Sequence, residues 1–319
     1  VGFLGVSDYG LGQFEVLCAR YRVAFATAKR RPAAHAQGLD AQLASACAAH
    51  GVEYLGSVDA NSEAVVERAR QTDLLVIGGY DAILRGPVLE APRHGVINTH
   101  LGVLPLNRGC CPTLWAQLHN LPQGYTTYRV GLEVDFGDVL DLYTADPELG
   151  RLRDTNRAVY DALAAQAVAR FGAALDRLEA GESLRPCEGE EAYHRKGMPN
   201  DGWLSFHWSN EFLRRFSLAL DFAPYLPGRT RVAPAQEGAE AGPEISLAVE
   251  AVEAAMPGEQ AGAAVGEVLE LEGEELLVRT REGRARCRLR AGPAPAKGAV
   301  LASGRPGDEA GAHPVAADF

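Results

Sequence analysis

Short apolar runs alternate with helix-spaced segments through the first half of the chain, and few folds accept that order. Val1-Gly-Phe-Leu-Gly-Val6, Arg22-Val-Ala-Phe-Ala-Thr27, Val52 to Leu55, Leu74-Leu-Val-Ile77 and Gly95 to Thr99 read as successive strands. Leu74 to Ile77 carries no polar residue, as a strand buried on both faces should. Between them, Gly12 to Ala19, Leu39 to His50 and Asn61 to Arg70 read as helices. Leu39, Leu43, Ala46 and Cys47 recur at helical spacing, Gly51 provides a C-cap, and Asn61 is a cap candidate. Strands alternating with helices in this way predict an α/β domain built on an open, mainly parallel, Rossmann-like sheet. Tyr125 to Leu132 and Val139 to Tyr143 add two strands, and Arg153 to Leu178 reads as one long helix. Gly5, Gly10 and Gly12 follow the first strand, but their spacing departs from a dinucleotide fingerprint and they read as turn glycines.

The pattern then changes. Gly181 to Asp201 is polar and rich in turn residues, and Asn210 to Leu220 forms a short helix. Residues 229 to 261 are rich in Ala, Gly, Pro and Glu, with one apolar segment at Ile245 to Val252. Gly266 to Gly273, Glu275 to Gly283 and Arg284 to Arg290 make three short strands separated by glycine turns, which predicts a small β-barrel. The expected organisation is a catalytic domain over 1–185, a connector over 186–230 and a barrel domain over 231–319. Arg284, Arg286, Arg288 and Arg290 alternate with Ala285, Cys287 and Leu289, giving one basic and one apolar face. Residues 231–319 carry 9 Lys plus Arg against 15 Asp plus Glu, which favours an ordinary amphipathic barrel strand over a polyanion-binding stripe.

A chain of 319 residues with 47% hydrophobic and 23% charged residues has ordinary globular composition. The net charge of −11 argues against a general nucleic-acid binder, although a local basic groove stays open, with Lys29-Arg30-Arg31 as the candidate loop. No apolar run approaches the roughly 18 residues of a membrane span, and no signal-like segment opens the chain, so a cytosolic protein is expected. The chain opens directly on a strand, so residues preceding Val1 are expected. Its six cysteines, at 18, 47, 110, 111, 187 and 287, lack Cys-x-x-Cys spacing and read as reduced core thiols.

The chemistry concentrates in two segments. Asn98 and His100 lie two apart on a strand, which points both side chains to one face. Asp135 lies in a second, glycine-bearing segment. An amide, an imidazole and a carboxylate together suit acyl transfer: an oxyanion donor, a proton shuttle and an acid that orients it. Each could also be an ordinary polar group, and spacing alone leaves the acyl group open.

His100-Leu-Gly-Val-Leu-Pro-Leu-Asn-Arg-Gly109 resembles the H-x-S-x-L-P-x-x-x-G signature of the folate-dependent formyltransferases, with Asn98-Thr99-His100 matching their N-x-H. Val134-Asp135-Phe136-Gly137-Asp138 resembles their x-D-x-G-D loop. Gly102 stands where that family usually has Ser, and Cys110-Cys111 stand where small residues are common. Tyr193 to Trp208 and Pro224-Tyr-Leu-Pro-Gly228 resemble the segments following the catalytic core in tRNA and sugar formyltransferases. Residues 266–283 resemble the OB-like C-terminal domain of the tRNA enzymes.

The resemblance implies transfer of a formyl group from 10-formyltetrahydrofolate to a primary amine, with Asn98, His100 and Asp135 catalytic and no metal required. It places the folate against Gly79, Tyr80, Ile83 and Leu84, and against Val130, Gly131, Leu132, Glu133 and Val134. A small-molecule or carrier-linked acceptor is the leading expectation. The alternatives are a methionyl-tRNA acceptor, hydrolysis of the formyl donor, and a folate-binding protein without catalysis. Oligomeric state stays open.

Overall fold

The computed structural model describes residues 1–5, 7–28, 37–80, 82–185, 189–233, 242–255 and 262–303. The chain divides into two compact units, Val1–Ala116 with Leu121–Pro147 and Val159–Arg195, and Gln117–Asn120 with Glu148–Ala158 and Lys196–Phe319. Lys29 to Arg31 and Cys187 lie outside the described residues.

In chain order the first elements are β1 (Gly2–Leu4), α1 (Asp8–Arg20), β2 (Phe25–Thr27), α2 (Leu39–His50) and β3 (Glu53–Tyr54). There follow α3 (Glu63–Arg70), β4 (Leu75–Ile77), α4 (Gly86–Leu89), β5 (Val96–His100), β6 (Arg108–Gly109) and α5 (Pro112–His119). Then come β7 (Gly124–Val130), β8 (Gly137–Thr144), α6 (Asn156–Ala169), α7 (Phe171–Ala180) and β9 (Tyr193–His194).

Seven strands form one sheet in the order β3-β2-β1-β4-β5-β7-β8. The first five are parallel, while β7 runs antiparallel to both β5 and β8. The order turns back between β1 and β4, the kind of switch point beside which open α/β sheets hold ligands. Alternation along the strands divides the core. Phe3, Val76 and Ile97 pack with Phe14, Leu17, Leu43, Phe171 and Leu175 on one side. Leu4, Leu75, Ile77 and Val96 pack with Val65, Val66 and Val88 on the other.

Three local expectations change. Gly10 and Gly12 lie inside α1, which Ser7 caps, rather than in a turn. A Cβ on Gly10 would collide with the backbone of Gly78, so the glycine lets α1 approach the end of β4. The single long helix is two, broken at Arg170, whose side chain reaches back to Asp141 of β8. Among the cysteines, Cys47 and Cys287 are buried, with thiols that burial pushes up to about 11 and about 12, whereas Cys111 is exposed.

In the second unit, a tight turn at Pro199–Gly202, with Asn200 and Asp201 in the left-handed region, precedes α8 (Asn210–Leu220), β10 (Arg229–Arg231), β11 (Glu244–Ala254), β12 (Val268–Glu272), β13 (Glu275–Arg279) and β14 (Gly283–Ala291). Ser209 caps α8, and Phe212 and Phe216 pack against Trp208. The five strands form an antiparallel sheet in the order β10-β11-β14-β13-β12. Its two edges meet the same segment. The Val268 and Leu301 amides bond across to Ala299 and Gly266, and the Ala233 and Ala302 amides bond across to Val300 and Arg231. Residues 298–302 therefore close the sheet into a small barrel, which spares both edge strands open backbone.

Candidate active site

Sheet register builds the site. β5 and β7 are antiparallel neighbours in which Asn98 lies opposite Tyr128 and His100 opposite Thr126. Cross-strand partners share a face, so these four side chains project together. Asn98 Nδ2 donates to Tyr128 Oη at 3.1 Å, and Tyr128 Oη donates to Asp135 Oδ1 at 3.0 Å. Thr126 Oγ1 donates to the Gly102 carbonyl and accepts from the Leu104 amide, pinning the turn that leaves β5.

That turn returns to His100. Its Nε2 lies 2.8 Å from the Asn107 carbonyl, which only accepts, so Nε2 carries a hydrogen. Nδ1 faces Asp135 Oδ1 at 3.7 Å, beyond hydrogen-bond range. The Asn107 side chain is buried and donates to the Pro112 carbonyl at 2.7 Å, holding the turn shut.

Asp135 adopts a left-handed backbone conformation at φ 50°, in the loop between β7 and β8. Its Oδ2 accepts from the Gly109 amide at 2.8 Å. Arg108 fixes the same loop, donating through Nε and Nη2 to the Val134 carbonyl and stacking over Phe136. Gly109 and Arg108 are themselves held by the parallel pairing of β6 with β9, where a Cβ on Gly109 would fall on the His194 carbonyl oxygen. The His194 ring stacks on Trp115 at 4.6 Å.

The three expected polar residues thus converge in a mostly buried site, the His100 and Asp135 side chains being 8% and 12% exposed. Burial, reinforced by the charge of Asp135, raises the Tyr128 phenol well above its ordinary value. Burial likewise pushes Tyr9 up to about 12, and its hydroxyl donates to the Thr99 carbonyl behind the site.

Residues 23–175 match the family described as formyl transferase. The chain therefore carries a formyl transferase domain. It is 27% identical to methionyl-tRNA formyltransferase of Geobacter metallireducens over 308 residues, covering 91% of this chain and 96% of the relative. It is 29% identical to that of Agathobacter rectalis over 201 residues, covering 60% of this chain and 63% of the relative. Among solved structures, an N-formyltransferase from Helicobacter canadensis in complex with folinic acid and dTDP-3-aminofucose superposes with a TM-score of 0.61 at 13% identity, covering 90% of this chain and 98% of that one. A 4-N formyltransferase from Francisella tularensis gives 0.61 at 14% identity, covering 79% and 98%.

The residues expected to wall a formyl donor fall into two groups. Tyr80, Leu84 and Val130 pack against the core cluster that Val96 joins, and so line the face that Asn98 shares. Tyr80 is fixed by its hydroxyl, which accepts from the Ala60 amide and donates to the Val58 carbonyl. Ile83, Leu132 and Val134 instead face solvent, Leu132 being 89% exposed. A cleft of about 320 Å³ lies against Arg129, Val130, Gly131, Leu132, Glu133 and Phe136. Gly79 has φ 80° and lies so close to Ser7 that a side chain there would collide with it. Sequence patterns missed Tyr128, Thr126 and Asn107. Finding Tyr128 required the β5–β7 register, which no motif carries.

Proposed function

We propose that the protein transfers the formyl group of 10-formyltetrahydrofolate to a primary amine, with Asn98, His100 and Asp135 as the reacting constellation. The observation carrying this reading is the convergence of an amide, an imidazole and a carboxylate on one mostly buried face. The acceptor nitrogen adds to the formyl carbon as the carbonyl π pair moves to oxygen. Asn98 Nδ2 donates to that oxygen, and so does His100 through Nδ1 once that nitrogen carries a hydrogen, since the Nε2 hydrogen is engaged by the Asn107 carbonyl. Asp135 faces Nδ1 and stabilises the ring when it carries a hydrogen there as well. As the carbon–N10 bond breaks, the proton leaving the ammonium passes through Asp135 and water to N10. Val130, Leu132, Tyr80, Leu84 and Phe136 supply apolar surface for a flat heterocycle, and the backbone of Gly131 to Val134 supplies polar partners.

The donor and transfer domain is assigned to residues 1–185, the connector to 186–230 and the barrel domain to 231–319. A small or carrier-linked amine is the favoured acceptor, in keeping with the dTDP-3-aminofucose named for the Helicobacter canadensis protein. The methionyl-tRNA reading rests on relatives aligned over most of this chain. Against it, the arginine row of β14 is already paired with acids: Arg284 with Glu253, Arg288 with Glu250 and Glu275, and Arg290 with Asp221. Incubation with 10-formyltetrahydrofolate and a panel of sugar-nucleotide amines, metabolite amines and methionyl-tRNA tests this. A formyl adduct detected by mass on a small amine supports the proposal. An adduct on the tRNA alone moves the acceptor, and formate release without any amine replaces transfer by hydrolysis.

A further inference from the structure

We infer that the Tyr128 hydroxyl is the positioning group of this site, fixing which end of the Asn98 amide faces inward and holding Asp135 toward His100. The inference rests on the formyl-transfer reading above and deepens it.

Hydrogen-bond direction carries it. An ionised carboxylate only accepts, so the single phenolic hydrogen of Tyr128 goes to Asp135 Oδ1, 3.0 Å away. The phenol oxygen is left as an acceptor, and Asn98 Nδ2 fills that role at 3.1 Å. A reversed amide would set Asn98 Oδ1 against an oxygen whose hydrogen is already engaged, a repulsive contact in a buried place. The charge of Asp135 therefore sets the orientation of Asn98, through one hydroxyl. The amide keeps a second N–H for an oxyanion, and both amide hydrogens belong to the Nδ2 that the chain locks in place.

The same hydroxyl completes the support of Asp135. With the Gly109 amide on Oδ2 and Tyr128 on Oδ1, both carboxylate oxygens are held independently of any bound substrate. That support secures a residue in a left-handed backbone conformation. Tyr128 is 2% exposed, and burial with the Asp135 charge keeps its phenol protonated as a standing donor. No role in contact with substrate is required of it.

Tyr128→Phe keeps the ring and removes the hydroxyl. We expect kcat to fall about tenfold or more, the loss of one charge-assisted hydrogen bond, with KM for donor and acceptor held within about twofold. In the double variant with Asn98→Ala, the combined loss should be smaller than the product of the two single losses, because both break one chain. Fluorotyrosine placed at 128 keeps the hydroxyl and should restore a rate near that of the parent. A kcat within about twofold of the parent for Tyr128→Phe, or effects of the two substitutions that simply multiply, overturns the inference. A readout independent of turnover is the Asn98 side-chain NH2 pair in 15N NMR, assigned by its loss in Asn98→Ala. It should shift and exchange faster with solvent in Tyr128→Phe. An unchanged pair sinks the positioning role whatever the activity. A parent protein that transfers no formyl group sinks the functional reading instead, and the NMR pair then still decides the role of Tyr128.

Discussion

Gly102 separates this chain from the serine usual at its position in the family signature, and its surroundings show what the absent side chain allows. A Cβ there would stand 2.7 Å from the Asn107 carbonyl oxygen and 2.8 Å from His100 Nε2, across the bond that fixes the imidazole. Gly102→Ser should therefore displace the ring, lowering kcat more than it raises KM, and the loss should persist at temperatures where circular dichroism shows a folded protein. Asn98→Ala should cost about 10²-fold in kcat, as removal of one oxyanion donor does elsewhere, with the melting temperature nearly unchanged. The candidate trio Asn98, His100 and Asp135 stands out in the sequence because two motif segments carry it. The bonds that orient them do not, because Thr126 and Tyr128 read there as ordinary strand residues and acquire partners only through pairing with β5.

The β8 strand and the α6–α7 break depend on one buried charge. Asp141 is 1% exposed and accepts from Arg170 through both oxygens, from Arg177 at 3.1 Å and from Tyr125 at 2.7 Å. Burial alone would raise its carboxyl, but the Arg170 and Tyr125 bonds and the two guanidinium charges outweigh that and hold it below the usual carboxylate range. A depressed folded-state value means stability that is present above the ordinary carboxylate pKa and lost as pH falls through the folded one. Asp141→Asn should accordingly flatten the acid limb of the stability–pH curve, measured by urea unfolding. Arg170→Ala should destabilise by about 3 kcal/mol, since it leaves a buried carboxylate short of its bidentate partner. The helix break had no signal in the sequence, where Arg153 to Leu178 keeps helical spacing throughout. Arg170 interrupts it for a tertiary partner, whereas α2 ends where Gly51 signals.

For the whole molecule, the two sheet types were predictable because strand spacing differs so plainly between the halves: helices intervene in the first and glycine turns in the second. The segment that closes the second sheet was less so. Nothing in residues 298–302 resembles a strand, and the segment joins both edges mainly through backbone hydrogen bonds, with Thr230 Oγ1 of β10 also donating to the Ala302 carbonyl. The charge distribution carries a prediction of its own. With the β14 arginines paired to acids and a net charge of −11, a gel-shift at low salt with initiator tRNA should show no retardation. Retardation that weakens steeply with salt would restore the tRNA acceptor.

Closure by residues 298–302 also sets an order of events on the ribosome. The strands of the barrel emerge from β10 to β14 while the segment that covers both borders is still unmade. Until it arrives, two rows of unsatisfied peptide groups stand available to neighbouring chains. A nascent chain stalled, nicked or terminated just before Gly298 would hold every strand of the barrel and still be a nucleus for aggregation.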